Sequence, residues 1–181
     1  QKVLWLADDA YQENITSELS DITFSANWNL IFAILESIGL EPEQVKQHCT
    51  NLLLPEHRLE LVRTWNNITF YNDSKATIPE ATLESLQTFK NKKVILFIGG
   101  VSKGVDRTEF IKKLPKALAH VICFGKEADM LHALCLKRGL ASSSHKILES
   151  GWKQCTTLMQ PGDTVLFSPA GASFDLFKNY E

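Results

Sequence analysis

Long apolar runs are missing from this 181-residue sequence. Nothing approaches the roughly 20 residues that a membrane-spanning helix needs, and Gln1-Lys2-Val3-Leu4 has neither the n-region nor the cleavage site of a signal peptide. A cytoplasmic protein is expected. Cysteine is sparse: Cys49, Cys123, Cys135 and Cys155 lie far apart without a Cys-x-x-Cys pair, which excludes a zinc knuckle or redox pair and leaves buried thiols as the expectation. The five histidines form no His-x-x-His or His-Glu-x-x-His cluster, so no protein-built transition-metal site is expected. Nor is there a Gly-x-x-x-x-Gly-Lys-Ser/Thr phosphate loop or a Gly-x-Gly-x-x-Gly fingerprint. Lysine and arginine (19) nearly balance aspartate and glutamate (21), for a net charge of −2, and no basic stripe interleaves with aromatics, which argues against a nucleic-acid partner.

What is present describes a globular α/β protein. With 44% apolar and 22% charged residues, the chain is long enough for one full domain and part of another. Val3-Leu4-Trp5-Leu6-Ala7 reads as a short strand. From Asn27, the positions Trp28, Ile31, Ile34, Leu35 and Ile38 recur at helical spacing, with Gly39 placed to end that helix and Pro42 to open the next. A piece of this size exposes too much surface to stand without a partner. Pro55 and the charged residues after it mark a boundary, dividing the chain into 1–56 and 57–181. Beyond it, strands are expected around Leu59–Val62 and at Ile68–Tyr71, Val94–Ile98, Val121–Phe124 and Thr164–Phe167. They alternate with helices at Pro79–Phe89, Glu109–Leu118, Ala128–Lys137 and Glu149–Leu158, and a last helix opens at Ser173 and runs to Tyr180. The unbroken apolar run Val94-Ile95-Leu96-Phe97-Ile98 belongs to a strand covered on both faces. The alternation therefore predicts a Rossmann-like three-layer domain with a mainly parallel sheet.

Parallel strands put their following loops on one edge, where open α/β sheets bind ligands. Three such loops carry chemistry: Asn72-Asp73-Ser74-Lys75-Ala76-Thr77, Gly99-Gly100-Val101-Ser102-Lys103-Gly104 and Ser168-Pro169-Ala170-Gly171-Ala172-Ser173. The glycines permit close backbone approach and Lys103 brings a cation, a combination suited to an anion or carboxylate. Plainer roles are available to the same residues. Thr77 or Ser173 can cap a helix, Asp73 and Lys75 can pair with each other, and Gly-Gly-x-x-Lys-Gly can be a turn with a solvated lysine.

Together with Pro55-Glu56-His57-Arg58-Leu59-Glu60 and the Phe174-Asp175-Leu176-Phe177-Lys178-Asn179-Tyr180-Glu181 ending, these loops resemble the C-terminal part of the Mur ligases, most closely the D-glutamate-adding branch. The resemblance implies an ATP- and Mg²⁺-dependent ligase that joins D-glutamate to UDP-N-acetylmuramoyl-L-alanine through an acyl phosphate, in peptidoglycan synthesis. Residues 1–56 would be a remnant of its central ATP-binding domain, and the piece would be inactive alone. By the same resemblance Lys75 is the catalytic cation at the reaction centre. Asn27, His57, Arg58 and Asp73 contact ATP, while Thr77, Lys103, Ser173, Phe174 and Tyr180 hold D-glutamate. The metal ligands would lie outside this piece. Two departures stand out. Val101 occupies a position where the family usually has an acidic or polar residue, and only Asn27 remains of a His-Asn-x-x-Asn helix start. The alternatives are a non-catalytic Rossmann-like binding module or a degenerate homologue, another Mur ligase, or a folylpolyglutamate synthase.

Overall fold

A computed structural model describes residues 10–16, 19, 25–49, 55–102 and 104–178. The chain divides into two compact units, Gln1–Pro55 and Glu56–Glu181. The strand expected at Val3–Ala7 lies outside the described residues.

In the first unit a 3₁₀ turn, Gln12–Asn14, precedes helices α1 (Ser25–Ser37) and α2 (Pro42–Cys49). Leu19, Trp28, Phe32 and Cys49 form its core, with Trp28 stacked on Phe32 at 5.6 Å and its indole donating to the Leu19 carbonyl at 2.6 Å. Gly39 adopts φ +86° and ends α1 as expected. The Gly39 amide donates to Glu36 O and the Leu40 amide to Leu35 O, the reciprocal pair that satisfies the last helical carbonyls. The opposite face of α1 leaves Leu30, Ile34 and Ile38 more than half exposed.

The second unit is built on a six-stranded sheet. Strands β1 (Glu60–Trp65) and β2 (Ile68–Asn72) form an antiparallel hairpin turned by Asn66 and Asn67, both at positive φ. Then follow α3 (Pro79–Gln87), β3 (Val94–Gly99), α4 (Arg107–Lys113), β4 (His120–Phe124), α5 (Ala128–Lys137), β5 (Ser142–His145), α6 (Leu148–Leu158) and β6 (Thr164–Phe167). The spatial order is β1-β2-β6-β3-β4-β5, and every pairing except β1 with β2 is parallel. This is the α/β, mainly parallel fold expected from the apolar runs.

Pleating divides the strand residues between two cores. Val94, Leu96, Ile98, Val121, Cys123 and Leu166 pack with Leu86 and Phe89 from the α3 region, Phe110 and Ile111 of α4, and Leu131 and Cys135 of α5. Ile68, Ile95, Phe97, Ile122, Phe124 and Val165 pack on the other face with Leu148, Cys155 and Leu158 of α6. Each fully buried aliphatic or aromatic side chain contributes roughly 1.5–3 kcal/mol, so the central strands form a rigid base for the loops at their carboxyl ends. All four cysteines are buried and free, and burial beside Asp163 pushes the Cys155 thiol up to about 12.

Four local expectations change. The helix expected to reach Leu118 stops at Lys113 because Leu114 precedes Pro115, and a residue before proline is driven out of the helical region (Leu114 ψ 138°). Thr77 caps nothing: the N-cap of α3 is Ile78, without a side-chain cap, and Pro79 opens the helix. The segment after Ser173 forms turns through residue 178, in which the Leu176 and Phe177 amides donate to Ser173 O, so Ser173 opens no regular helix among the described residues. Strand β5 was not expected, because Ser142-Ser143-Ser144-His145 carries no apolar signal; it adds as an edge beside β4.

Candidate functional site

The loops after β2, β6 and β3 are neighbours because those strands are neighbours, and backbone hydrogen bonds join them into one rim. The Ala170 amide donates to Ala76 O at 2.8 Å and the Gly99 amide to Pro169 O at 2.9 Å. Val101 and Ala172 exchange a reciprocal pair at 2.8 and 3.1 Å. Val101, the departure noted in the sequence, thus shapes the rim through its main chain. Gly100 (φ +73°) is required there, since a Cβ would lie 2.5 Å from Ala172 O.

Asp73 is 2% exposed and turned inward. Its Oδ2 accepts from Ser85 Oγ and Ser168 Oγ, both at 2.7 Å, and its Oδ1 accepts from the Leu59 amide at 3.2 Å. Burial pushes this carboxyl up; Ser85, Ser168, the Leu59 amide and the nearby Arg58 charge pull it back. In this geometry Asp73 anchors the β2 loop to α3, to the β6 loop and to the segment before β1. It shows no face to a ribose, and it forms no ion pair with Lys75.

That anchoring brings the segment before β1 to the rim. The Lys75 amide donates to His57 O at 3.1 Å, and the His57 amide donates to Glu60 Oε2 at 2.9 Å. His57 and Leu59 both sit at positive φ, a strained pair of turns that these contacts hold in place. His57 Nδ1 lies 2.9 Å from Asn72 Nδ2 and 3.3 Å from Glu60 Oε2. Arg58 is half-buried and hydrogen-bonded to none of the described residues, while Lys75 is exposed and likewise without an ion pair among them. Two cations and a histidine thus border one corner of the rim, a charge arrangement that suits phosphate oxygens.

Thr77 is exposed on the same loop, and Ser173 is half-buried on the β6 loop beyond the Val101–Ala172 bridge. Phe174 is 70% exposed. Lys103 and Tyr180 lie outside the described residues. Asn27 is an exposed residue of α1, in the first unit. Among the described residues no group of three or more histidines, cysteines or acids is placed to hold a metal ion.

Asn72 and Ser168 stand in the loops singled out from the sequence but without a role there, and Thr82 and Ser85 look like ordinary helix polar residues. Thr82 Oγ1 nonetheless donates to Ser168 O at 3.2 Å and completes the network around Asp73. Arg107, 3% exposed, stands in the first turn of α4, where a cation opposes the helix dipole, and that local conflict is the one available hint of a tertiary partner.

The sequence model for "Mur ligase, glutamate ligase domain" matches residues 57–171. The chain belongs to the Mur ligase family. A curated Mur ligase relative, the UDP-N-acetylmuramoylalanine--D-glutamate ligase of Pseudothermotoga lettingae, is 31% identical over 155 residues, covering 86% of this chain and 36% of the relative. The chain therefore spans about a third of the length of the curated relatives it matches. Among solved structures, the murein peptide ligase of Psychrobacter arcticus superposes with a TM-score of 0.60 at 13% identity, over 82% of this chain and 34% of that one. The bifunctional folylpolyglutamate synthase/dihydrofolate synthase of Yersinia pestis, solved complexed with AMPPNP and Mn ion, gives 0.58 at 17% identity, over 81% and 36%. Both likenesses concern the fold: this chain is a Mur ligase C-terminal domain preceded by two helices.

Proposed function

We propose that the chain is the amino-acid-binding part of an ATP-dependent ligase that adds D-glutamate to UDP-N-acetylmuramoyl-L-alanine through an acyl phosphate. The observation that carries this reading is the single rim on which Lys75, Thr77 and Ser173 stand, with Arg58 and Lys75 beside His57 and in no ion pair among the described residues. The named function of the 31–32% identical relatives supports it. ATP supplies the phosphoryl group that activates the substrate carboxylate. Arg58 and His57 fit its phosphate and ribose side, with Lys75 between nucleotide and acceptor, and Asp73 serves by holding this corner in shape. D-glutamate would lie against Thr77, Lys103, Ser173, Phe174 and Tyr180, its side-chain carboxylate gripped by Lys103 and the hydroxyls. The ligands of Mg²⁺ would come from elsewhere in a longer protein; among the described residues no group of three or more histidines, cysteines or acids is placed to hold a metal ion.

Residues 1–56, including Asn27, are read as the end of the central ATP-binding domain. The exposed Leu30, Ile34 and Ile38 stripe on α1 fits a helix that further chain would cover. A cytoplasmic location agrees with the absence, among the described residues, of any helix long and apolar enough to cross a membrane.

Isothermal calorimetry tests the reading. Weak binding of D-glutamate that Lys103→Ala abolishes supports it, whereas no heat with either D-glutamate or an adenine nucleotide favours a non-catalytic module. A second reading, another amino-acid ligase of the family, draws on the fold likeness to enzymes of other names; tighter binding of a different amino acid in the same experiment would select it.

A further inference from the structure

Beneath the rim, buried Arg107 and half-buried Glu127 form an ion pair that reaches two of its three loops. Arg107, on α4, donates from Nε to Glu127 Oε2 at 3.0 Å, from Nη1 to Ala170 O, and from Nη2 to Gly99 O at 3.3 Å. The other oxygen of Glu127 accepts the Ser102 amide at 2.8 Å. One guanidinium and one carboxylate therefore connect the β3 loop at both ends, the β6 loop and the β4 loop. The surroundings are shaped for it. Gly171 has no Cβ, and one added there would lie 2.4 Å from Arg107 Nη2 and from Gly99 O. Ala170 holds φ +57°, a conformation unfavourable for alanine, while its amide and carbonyl are fixed by Ala76 O and Arg107 respectively.

Burying an ion pair contributes little to stability on balance, because desolvation offsets the attraction. Its geometry, however, is specific: only a planar fork can serve a carboxylate and two diverging carbonyls together. We infer that Arg107 and Glu127 act as a positioning pair that fixes the backbone of Gly99–Ser102 against Ala170–Ala172, and so sets the spacing between the two loops that hold the amino acid. With 3% exposure Arg107 does not reach a ligand; its effect runs through the Ser102 amide and the Ala170 carbonyl. The second half of the inference rests on the cradle reading above, and the first half does not.

The test joins amide hydrogen exchange with D-glutamate calorimetry on the full 181-residue chain. Arg107→Lys keeps the charge and loses the fork. It is expected to speed exchange at Ser102 and Ala172 by about tenfold or more, the scale of one lost charged hydrogen bond, while Val121 in β4 keeps its protection. D-glutamate affinity should fall by about the same factor. Unchanged exchange at Ser102 in a folded Arg107→Lys chain overturns the inference, and so does faster exchange with unchanged D-glutamate affinity. If Arg107→Lys does not fold, Glu127→Gln, which retains the volume and removes the charge, decides by the same two measurements. A wild-type chain that gives no heat with D-glutamate defeats the cradle reading instead, and exchange at Ser102 and Ala172 then judges the pair alone.

Discussion

Serine beside a titratable partner occurs in two places in the second unit, with opposite consequences. At the rim, Ser85 and Ser168 donate to Asp73 inside the protein, linking residues up to 95 positions apart in sequence. At the β4–β5 edge, Ser143 Oγ lies 3.1 Å from His120 Nε2 and 2.9 Å from His145 Nε2, Ser142 Oγ lies 2.8 Å from His132 Nδ1, and Ser144 donates to Asp129, all at half-buried or exposed positions. The difference is access to water. A buried carboxylate that loses its donors, or donors that lose their carboxylate, has no solvent to turn to, whereas the edge groups exchange protein partners for water at little loss.

The sharpest way to break this comparison is Asp73→Ala against Ser144→Ala. The first should lower unfolding free energy by about 3 kcal/mol, because two buried hydroxyls and the half-buried Leu59 amide lose their acceptor, and the second by less than about 0.5 kcal/mol; urea denaturation measures both. Equal losses would mean that the rim is not dry. Next is Gly171→Ala, expected to destabilise by about 2–3 kcal/mol since its Cβ meets backbone, against Gly104→Ala, about 1 kcal/mol, where positive φ is the only penalty and the space is open.

Acid should separate the two regions by sign. Burial and mutual repulsion with His132 hold His120 and His145 below the ordinary histidine value. The unfolded chain then takes the proton first, so the edge contributes fully above about pH 6.5 and loses stability as pH falls through the ordinary value toward the folded one. Asp73, held above the ordinary carboxylate value by burial, contributes in the opposite sense: its share is whole below that value and declines as pH rises through the folded one. The check is the urea midpoint between pH 7 and 5. The His120→Asn, His145→Asn double variant should flatten its fall, and Asp73→Asn should not flatten it. The smallest effect on stability belongs to Lys75→Ala, under about 0.5 kcal/mol because the lysine has no ion pair among the described residues. The same variant should weaken adenine-nucleotide binding measurably in calorimetry, if the proposed role holds.

Legibility followed the same division. Val94–Ile98, Val121–Phe124 and Thr164–Phe167 were readable as parallel strands because burial on both faces demands an unbroken apolar run. Their shared direction made the meeting of three loops on one edge expected. Ser142-Ser143-Ser144-His145 was unreadable because an edge strand next to β4 needs only a backbone ladder, and its side chains find partners on Asp129, His120 and His132. Helical spacing alone carries the helix to Leu118, whereas Pro115 drives Leu114 out of the helical region and ends it at Lys113. The family resemblance implies an ATP contact for Asp73, and nothing in the Asn-Asp-Ser-Lys run shows that its carboxylate is buried against Ser85 and Ser168.

From sequence alone came the layered α/β plan and the clustering of loops at the carboxyl ends of the sheet, since periodicity and strand length are properties of short segments. The direction in which each polar side chain on those loops points came only with the tertiary structure. Asp73 and Arg107 turn inward because Ser168, Leu59, Glu127 and the Gly99 and Ala170 carbonyls are brought to them by strand order, and no local preference distinguishes a buried acid or guanidinium from a solvated one.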